Sequence, residues 1–254
     1  VLADTQRPLA IITGGSRGLG FETAKALARQ GFDLALVAKD SARLSAAADL
    51  IHQDSKADAQ LHISTFACDL EQPHLVRELI DSLNQSLPTP RLLILAHGVM
   101  SEKMSKTLRT NDSEWRRVMA INLDSVFQLV NGVAPAMAEA RNGRLIIFSA
   151  CLGRMSGPGN AGGLAPYRIS KAGVNALVRN LAHETGLGAR GFLVDAICPN
   201  HSRTDMGGAD APRSAEEGAA TAVWLATREF DPAGSTDAQK VTGVLWEDNQ
   251  IVPW

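Results

Sequence analysis

The 254-residue chain carries 25 lysines and arginines against 27 aspartates and glutamates, a formal charge of −2, with 45% hydrophobic and 20% charged residues. This is the balance of a globular protein and excludes a disordered, collagen-like or coiled-coil chain. With no basic excess there is nothing to follow a nucleic-acid backbone or an anionic membrane, and the longest apolar runs, such as Leu92 to Ala96, fall far short of the roughly 20 residues that cross a bilayer. Cys68, Cys151 and Cys198 contain no CxxC, so neither a disulfide framework nor a metal site is expected and a cytoplasmic location fits. The length suits one domain over residues 1–254, with 1–7 read as a loose, trimmed extension outside the fold.

In chain order, strand-length aliphatic runs occur at Leu9 to Thr13, Leu34 to Ala38, Leu61 to Phe66, Leu92 to Ala96, Leu145 to Ser149 and Phe192 to Cys198. Their near-continuous apolar character marks strands covered on both faces, as in a parallel sheet. Between them, Phe21 to Gln30, Leu44 to Ile51, Leu75 to Leu83, Trp115 to Met137 and Tyr167 to His183 space their apolar residues as helices do. Residues 156–166 and 231–240 read as loops. The alternation predicts an α/β fold, a Rossmann-type doubly wound parallel sheet in three layers, with ligands at the carboxyl ends of the strands.

The first strand runs into Gly14, Gly15, Ser16, Arg17, Gly18, Leu19 and Gly20 before a helix begins. Glycines there allow a tight turn and close backbone approach, and the helix amino end offers free N–H groups to a pyrophosphate. The alternative is an ordinary glycine turn; the strand–turn–helix context favours a dinucleotide. At the end of the second strand, Ala38-Lys39 has no carboxylate for a ribose 2′-hydroxyl, and Lys39 with Arg17 would clamp a 2′-phosphate, so NADP(H) is expected. The competing reading is two solvated cations whose field Asp40 partly offsets.

Tyr167 and Lys171 lie four residues apart at the start of an apolar helix, hence on one face. A fixed ammonium and an oxidised nicotinamide would both lower the phenol's pKa from near 10 toward a useful acid–base value. Together, the Thr13 to Gly20 turn, Asn122 in Ile121-Asn122-Leu123, and Tyr167-x-x-x-Lys171 resemble the short-chain dehydrogenase/reductase family over nearly the whole chain. Within it, Ala165 to Leu177 and the ending from Thr242-Gly243 are similar to a carbonyl-reductase branch.

The resemblance implies hydride transfer between a nicotinamide and a carbonyl carbon. Tyr167 would serve as general acid/base, Lys171 would hold the nicotinamide ribose, and Asn122 would hold a water that connects Lys171 to solvent. It also implies cofactor contacts from Asp69 and Leu70, from Ala96, His97 and Gly98, and from Pro199 and Thr204. The chain departs from the family in three places. The position of the substrate-holding serine is Ala150 in strict register with Gly153; an extra residue in the following loop would instead aim Ser149, with Ser156 more distant. The usual Asn-Asn-Ala-Gly is Leu95-Ala96-His97-Gly98, and the usual Pro-Gly is Pro199-Asn200. His97 or His201 could therefore replace the missing hydroxyl, the alternative being a packed or solvent-facing ring.

Residues 99–112, 152–166 and 206–214 are positioned to cover a substrate, and Met100, Met104, Met155, Leu164 and Met206 suit an adaptable apolar pocket for a hydrophobic carbonyl or alcohol. Gly207, Gly208 and Pro212 suggest a mobile lid, while Lys103, Lys106 and Arg109 could attract an anion or simply be solvated. The family resemblance implies a homodimer or homotetramer built on the Trp115 to Met137 and Tyr167 to His183 helices; Trp246 and Trp254 could add to it or be buried within the subunit. Two other functions stay open: a dinucleotide-binding regulator or scaffold that lost the chemistry, and a non-redox enzyme such as a dehydratase.

Overall fold

A computed structural model describes residues 7–55, 60–102, 105–157 and 161–254. Most of the expected N-terminal extension, together with Lys103 and Met104, thus lies outside the described residues. The strands are β1 (Leu9–Thr13), β2 (Asp33–Ala38), β3 (Ile63–Ala67), β4 (Leu92–Leu95), β5 (Gly143–Phe148), β6 (Phe192–Ile197), β7 (Leu245–Glu247) and β8 (Gln250–Val252). They form a single sheet in the order β3-β2-β1-β4-β5-β6-β7-β8, parallel throughout except for β8, which runs antiparallel to β7.

The helices are α1 (Gly18–Arg29), α2 (Ser41–Asp54), α3 (Pro73–Ser86), α4 (Asp112–Met119), α5 (Ser125–Glu139), α6 (Ala165–Glu184), α7 (Ala215–Thr227) and the single turn α8 (Asp237–Lys240). Strand alternation divides the core in two. Ile11, Val37, Leu93, Leu95, Leu145 and Ile147 pack with residues of α3, α5 and α6, whereas Ile12, Leu36, Leu92, Ile94, Ile146 and Phe148 pack with residues of α1, α2 and α7. β1, β4, β5 and β6 are buried at every position, because each is covered on both faces. At about 1.5–3 kcal/mol per fully buried aliphatic side chain, these two layers dominate the favourable side of folding.

Four elements were absent from the sequence reading, α7, β7, β8 and the single turn α8, which falls within the stretch 231–240 read as a loop. The helix α7 is announced by a capping box, Ser214 accepting from Glu217 N at 3.0 Å while Glu217 accepts from Ser214 N at 2.6 Å, but its alanine-rich body shows little amphipathic contrast. The hairpin of β7 and β8 turns through Asp248 and Asn249, both at positive φ, the conformation a two-residue hairpin requires. The stretch expected as one helix from Trp115 to Met137 is α4 and α5 joined by a π-helical turn at Ala120–Asp124, with Asn122 at its centre. Beyond β6, Asn200 takes the left-handed conformation at φ 58°, which asparagine tolerates better than most residues, and so meets the backbone requirement of the glycine it replaces.

The strand order reverses between β1 and β4, so a crevice opens at their carboxyl ends. Among the described residues no helix is long and apolar enough to cross a membrane.

Candidate active site

The turn after β1 has the shape its glycines dictate. Gly14 and Gly18 sit at φ 68° and 57°, and a Cβ on Gly20 would lie 2.7 Å from the Gly14 carbonyl carbon, too close for any side chain. Arg17 stands at the N-cap of α1 without a side-chain cap bond, and the first turn holds no acidic residue. The helix amino end therefore faces a cleft of about 530 Å³ lined by Gly14, Ser16, Arg17, Gly18, Leu19 and Gly20. Lys39, Asp69, Leu70, Ala96, His97, Gly98 and Thr204 line the same cleft, so the structure gathers these expected cofactor residues in one place. A cradle with no room for side chains and a row of cations at its far end suit a phosphorylated dinucleotide.

The cations are already partnered. Lys39 Nζ lies 2.7 Å from Asp69 Oδ2, Arg17 pairs with Asp205, and Arg43 lies 3.6 Å from its helix-capping Asp40. Arg43 also lines the cleft and went unnoticed in the sequence, although its place in the first turn after β2 was a signal.

A second cavity, of about 400 Å³, shares Leu19, Ala96, His97, Gly98, Thr204 and Met206 with the cleft, so the two are contiguous. Ser149, Tyr167, Lys171 and Pro199 line it. Tyr167 enters on the first turn of α6, its N–H donating to Ser101 Oγ at 2.9 Å, and is only 6% exposed. Burial pushes its phenol above the usual value, and the neighbouring Cys151 and Cys198 push the same way. In the protein alone the phenol is therefore raised rather than lowered, desolvation being the largest cause. Lys171 Nζ lies 6.0 Å from the Tyr167 ring centroid and donates to Phe148 O at 2.7 Å, and burial lowers its pKa to about 8. Gly153 lets the turn after β5 press on α6 here, since a Cβ would lie 2.7 Å from Lys171 Cβ.

Asn122 is fully buried behind the cavity. Its Oδ1 accepts from Val99 N at 2.8 Å, and its Nδ2 donates to Val99 O at 2.9 Å and Ser170 Oγ at 3.1 Å. It therefore ties the exit of β4 to the residue before Lys171. A Cβ on Gly98 would lie 3.4 Å from both Asn122 Oδ1 and Lys171 Nζ, so these three positions converge.

The Ser149 hydroxyl donates to Asn175 Oδ1 at 2.5 Å, with Lys171 O at 3.4 Å, and would have to leave Asn175 to reach a ligand. Ala150 lines the cavity one residue on. Ser156 bonds to Trp254 O at 3.1 Å.

His97 takes the packed alternative rather than the substrate-facing one. Ser125 Oγ donates to Ile121 O at 2.8 Å and so accepts from His97 Nε2 at 2.9 Å; His97 Nδ1 then accepts from Thr13 Oγ1 at 2.6 Å. Both nitrogens are occupied, and burial, seconded by Lys171, lowers the ring's pKa to about 3. His201 lines the cavity, with Nε2 donating to Gly207 O at 2.8 Å.

Among the expected pocket residues, Met100 and Met206 line the cavity, whereas Met155 is 76% exposed and falls outside it with Leu164. The segment read as a lid is stapled at its base, Arg203 Nη1 donating to Ala211 O and Pro212 O at 2.9 and 3.0 Å. Trp246 is buried within the subunit, 5.1 Å from Trp224 and donating to Asp195 Oδ1 at 3.0 Å. Cys151 and Cys198, to which the sequence assigned no role, both line this second cavity.

Comparison with known proteins agrees with this geometry. Residues 8–215 match the family model described as short chain dehydrogenase. The chain is 31% identical over 201 residues to the 3-oxoacyl-(acyl-carrier-protein) reductase FabG of Pseudomonas aeruginosa, covering 79% of this chain and 76% of that one. It is 28% identical over 198 residues to its Escherichia coli K12 counterpart, covering 78% and 75%. A short chain dehydrogenase from Shigella flexneri 2a complexed with NADP superimposes with a TM-score of 0.78 over 94% of this chain and 95% of that one, at 21% identity.

Proposed function

The chain belongs to the short-chain dehydrogenase family, and on that premise we propose that it is an NADP(H)-dependent oxidoreductase interconverting a hydrophobic ketone or aldehyde and its alcohol. The observation that carries this reading is the meeting of Tyr167, Lys171 and the Gly98–Asn122 contact at an apolar cavity continuous with the glycine cradle. A bound nicotinamide coenzyme supplies the hydride donor or acceptor.

Gly14, Ser16, Gly18, Leu19 and Gly20 would hold its pyrophosphate, and Arg17 and Lys39 its 2′-phosphate. Asp69 and Leu70 would flank its adenine. Ala96, His97 through its backbone, Gly98, Pro199 and Thr204 would line the path to the nicotinamide. Tyr167 gives its proton to the carbonyl oxygen, or takes one from the alcohol; burial keeps the phenol protonated, which suits the reducing direction. Lys171 stabilises the phenolate left behind, and Asn122 positions Lys171 through Ser170. Exposed Trp115, Phe127 and Ile169 on α4, α5 and α6 support assembly into a homodimer or homotetramer, which light scattering would measure.

The test follows NADPH absorbance across hydrophobic ketones and a 3-oxoacyl-carrier substrate of the kind named in the relatives, with Tyr167→Phe as control. Turnover that requires NADPH and disappears in the variant supports the reading. The committed Ser149 hydroxyl and the methyl of Ala150 favour a second reading, a dinucleotide-binding regulator, which would bind NADPH tightly and turn over nothing.

A further inference from the structure

Cys151 and Cys198 meet at the carboxyl edge of the sheet, where neither the glycine cradle nor the Tyr167–Lys171 pair uses them. β5 and β6 are parallel neighbours with Phe148 opposite Ile197, and Ser149 N donates to Ile197 O at 2.8 Å, so the two strand exits leave the sheet side by side. Cys198 follows β6 directly, and Cys151 opens the short 3₁₀ turn Cys151–Gly153 that follows β5. The two thiols interact with each other, and both line the cavity that also holds Tyr167.

Their environments are unequal. Cys198 is 2% exposed, while Cys151 is half-buried at the cavity wall. The bond from Cys198 and the Leu152 N–H hold the Cys151 thiol below the usual range, whereas donating that bond and burial push Cys198 up. A thiol eased toward its thiolate, open to a cavity and beside a second thiol on the neighbouring strand exit is the arrangement of an attacking and a resolving cysteine. Cys68, lining the dinucleotide cleft instead, is buried and pushed up to about 11, which makes it an internal control.

We propose that Cys151 and Cys198 are a peroxide-oxidisable dithiol that closes as an intramolecular disulfide in the substrate cavity and switches the site off until a thiol reductant reopens it. In the first step the Cys151 sulfur attacks a peroxide oxygen; the O–O bond breaks, the leaving hydroxide takes a proton to become water, and Cys151 becomes a sulfenic acid. In the second, the Cys198 sulfur attacks the Cys151 sulfur; the S–S bond forms, the S–O bond breaks, and hydroxide leaves with the Cys198 proton as a second water. Two thiols are oxidised and one peroxide is reduced to two waters, and exchange with a dithiol reductant reverses the change. The two side chains leave neighbouring strands for one cavity wall, so the bridge would join adjacent positions at the sheet edge. It alters the wall of the cavity that also holds Tyr167.

The test exposes the reduced, full-length protein to hydrogen peroxide, blocks remaining thiols, digests with trypsin and maps the peptides without reduction. The expected product joins the peptide of residues 145–154 to that of 191–203 with the loss of two hydrogens, and dithiothreitol releases it. Cys198→Ser is expected to leave a Cys151 sulfenic acid that dimedone traps, and Cys151→Ser to leave Cys198 unmodified. Modification of Cys68 ahead of Cys151, or no cross-linked peptide in the wild type, would overturn the proposal. A second arm rests on the reductase reading: NADPH-dependent turnover should fall in proportion to the cross-linked fraction and return on reduction, and turnover indifferent to the cross-link would overturn the switch. Peptide mapping needs no turnover, so a failure of the reductase reading is distinguishable from a failure of this one.

Discussion

Buried, neutral His97 makes stability depend on pH in a way that can be worked out. In the unfolded chain its pKa is the ordinary 6.5, and in the folded protein burial lowers it to about 3. Between those values the unfolded state holds a proton that the folded state refuses, so the contribution is fully present above 6.5 and is lost as pH falls toward the folded value. At about 1.4 kcal/mol per unit, lowering the pH from about 7 to about 5 removes about 2 kcal/mol through this one ring. The assay is urea unfolding of the wild type and His97→Ala at both pH values. Carboxylate contributions are common to the two proteins and cancel in the difference. The variant should start lower, because Thr13 Oγ1 loses its partner and Ser125 Oγ its donor, but it should lose about 2 kcal/mol less on acidification. Equal losses in the two proteins would refute the assignment of His97 as a ring that folding keeps neutral.

Other expectations follow from the same geometry. Gly20→Ala should weaken NADPH binding by more than about tenfold in a fluorescence titration, because its methyl meets the Gly14 carbonyl. Lys39→Ala should weaken NADPH about tenfold and leave NADH nearly unchanged, since only the former carries the 2′-phosphate. Asp195→Ala should cost about 3–5 kcal/mol in chemical unfolding, because it leaves the 6%-exposed Arg228 without its carboxylate and Trp246 Nε1 without its acceptor. Ala150→Ser should raise kcat about tenfold by adding a hydroxyl at the cavity wall, whereas Ser149→Ala should act mainly on stability by freeing Asn175; the opposite outcome would return the substrate-holding role to Ser149.

What the sequence made legible depended on how local the signal was. β1, β2, β4, β5 and β6 could be read because covering both faces writes a nearly unbroken apolar run, and the glycine turn because its spacing reflects one turn of backbone. The helix α7 was missed because alanines on every side blur the helical period, and β7 because three residues give no period at all. The cradle residues were found through local pattern, but the counter-charge of Arg17 was not: Asp205 lies 188 positions away, and only the fold makes them neighbours. For the same reason the cysteine pair was invisible, its members being joined by the register of β5 and β6. For His97 the place at the sheet edge was legible and the direction was left between ligand and core; two residues past the strand either is open to a side chain, and here two buried hydroxyls decided for the packed ring.

The carboxylates that partner Arg17, Lys39 and Arg43 give the cleft an economy of exchange. A phosphate entering it does not meet bare cations; it must take the place of Asp205 and Asp69, so its net gain is the difference between two ion pairs rather than the whole of one. Added salt weakens the outgoing pair along with the incoming one, which flattens the ionic-strength dependence that an open cluster of cations would show. Because Asp205 also lies one residue before Met206, which lines both cavities, a phosphate that displaced Asp205 from Arg17 would also release the segment leading into the second cavity, joining the order of binding to a swap of partners.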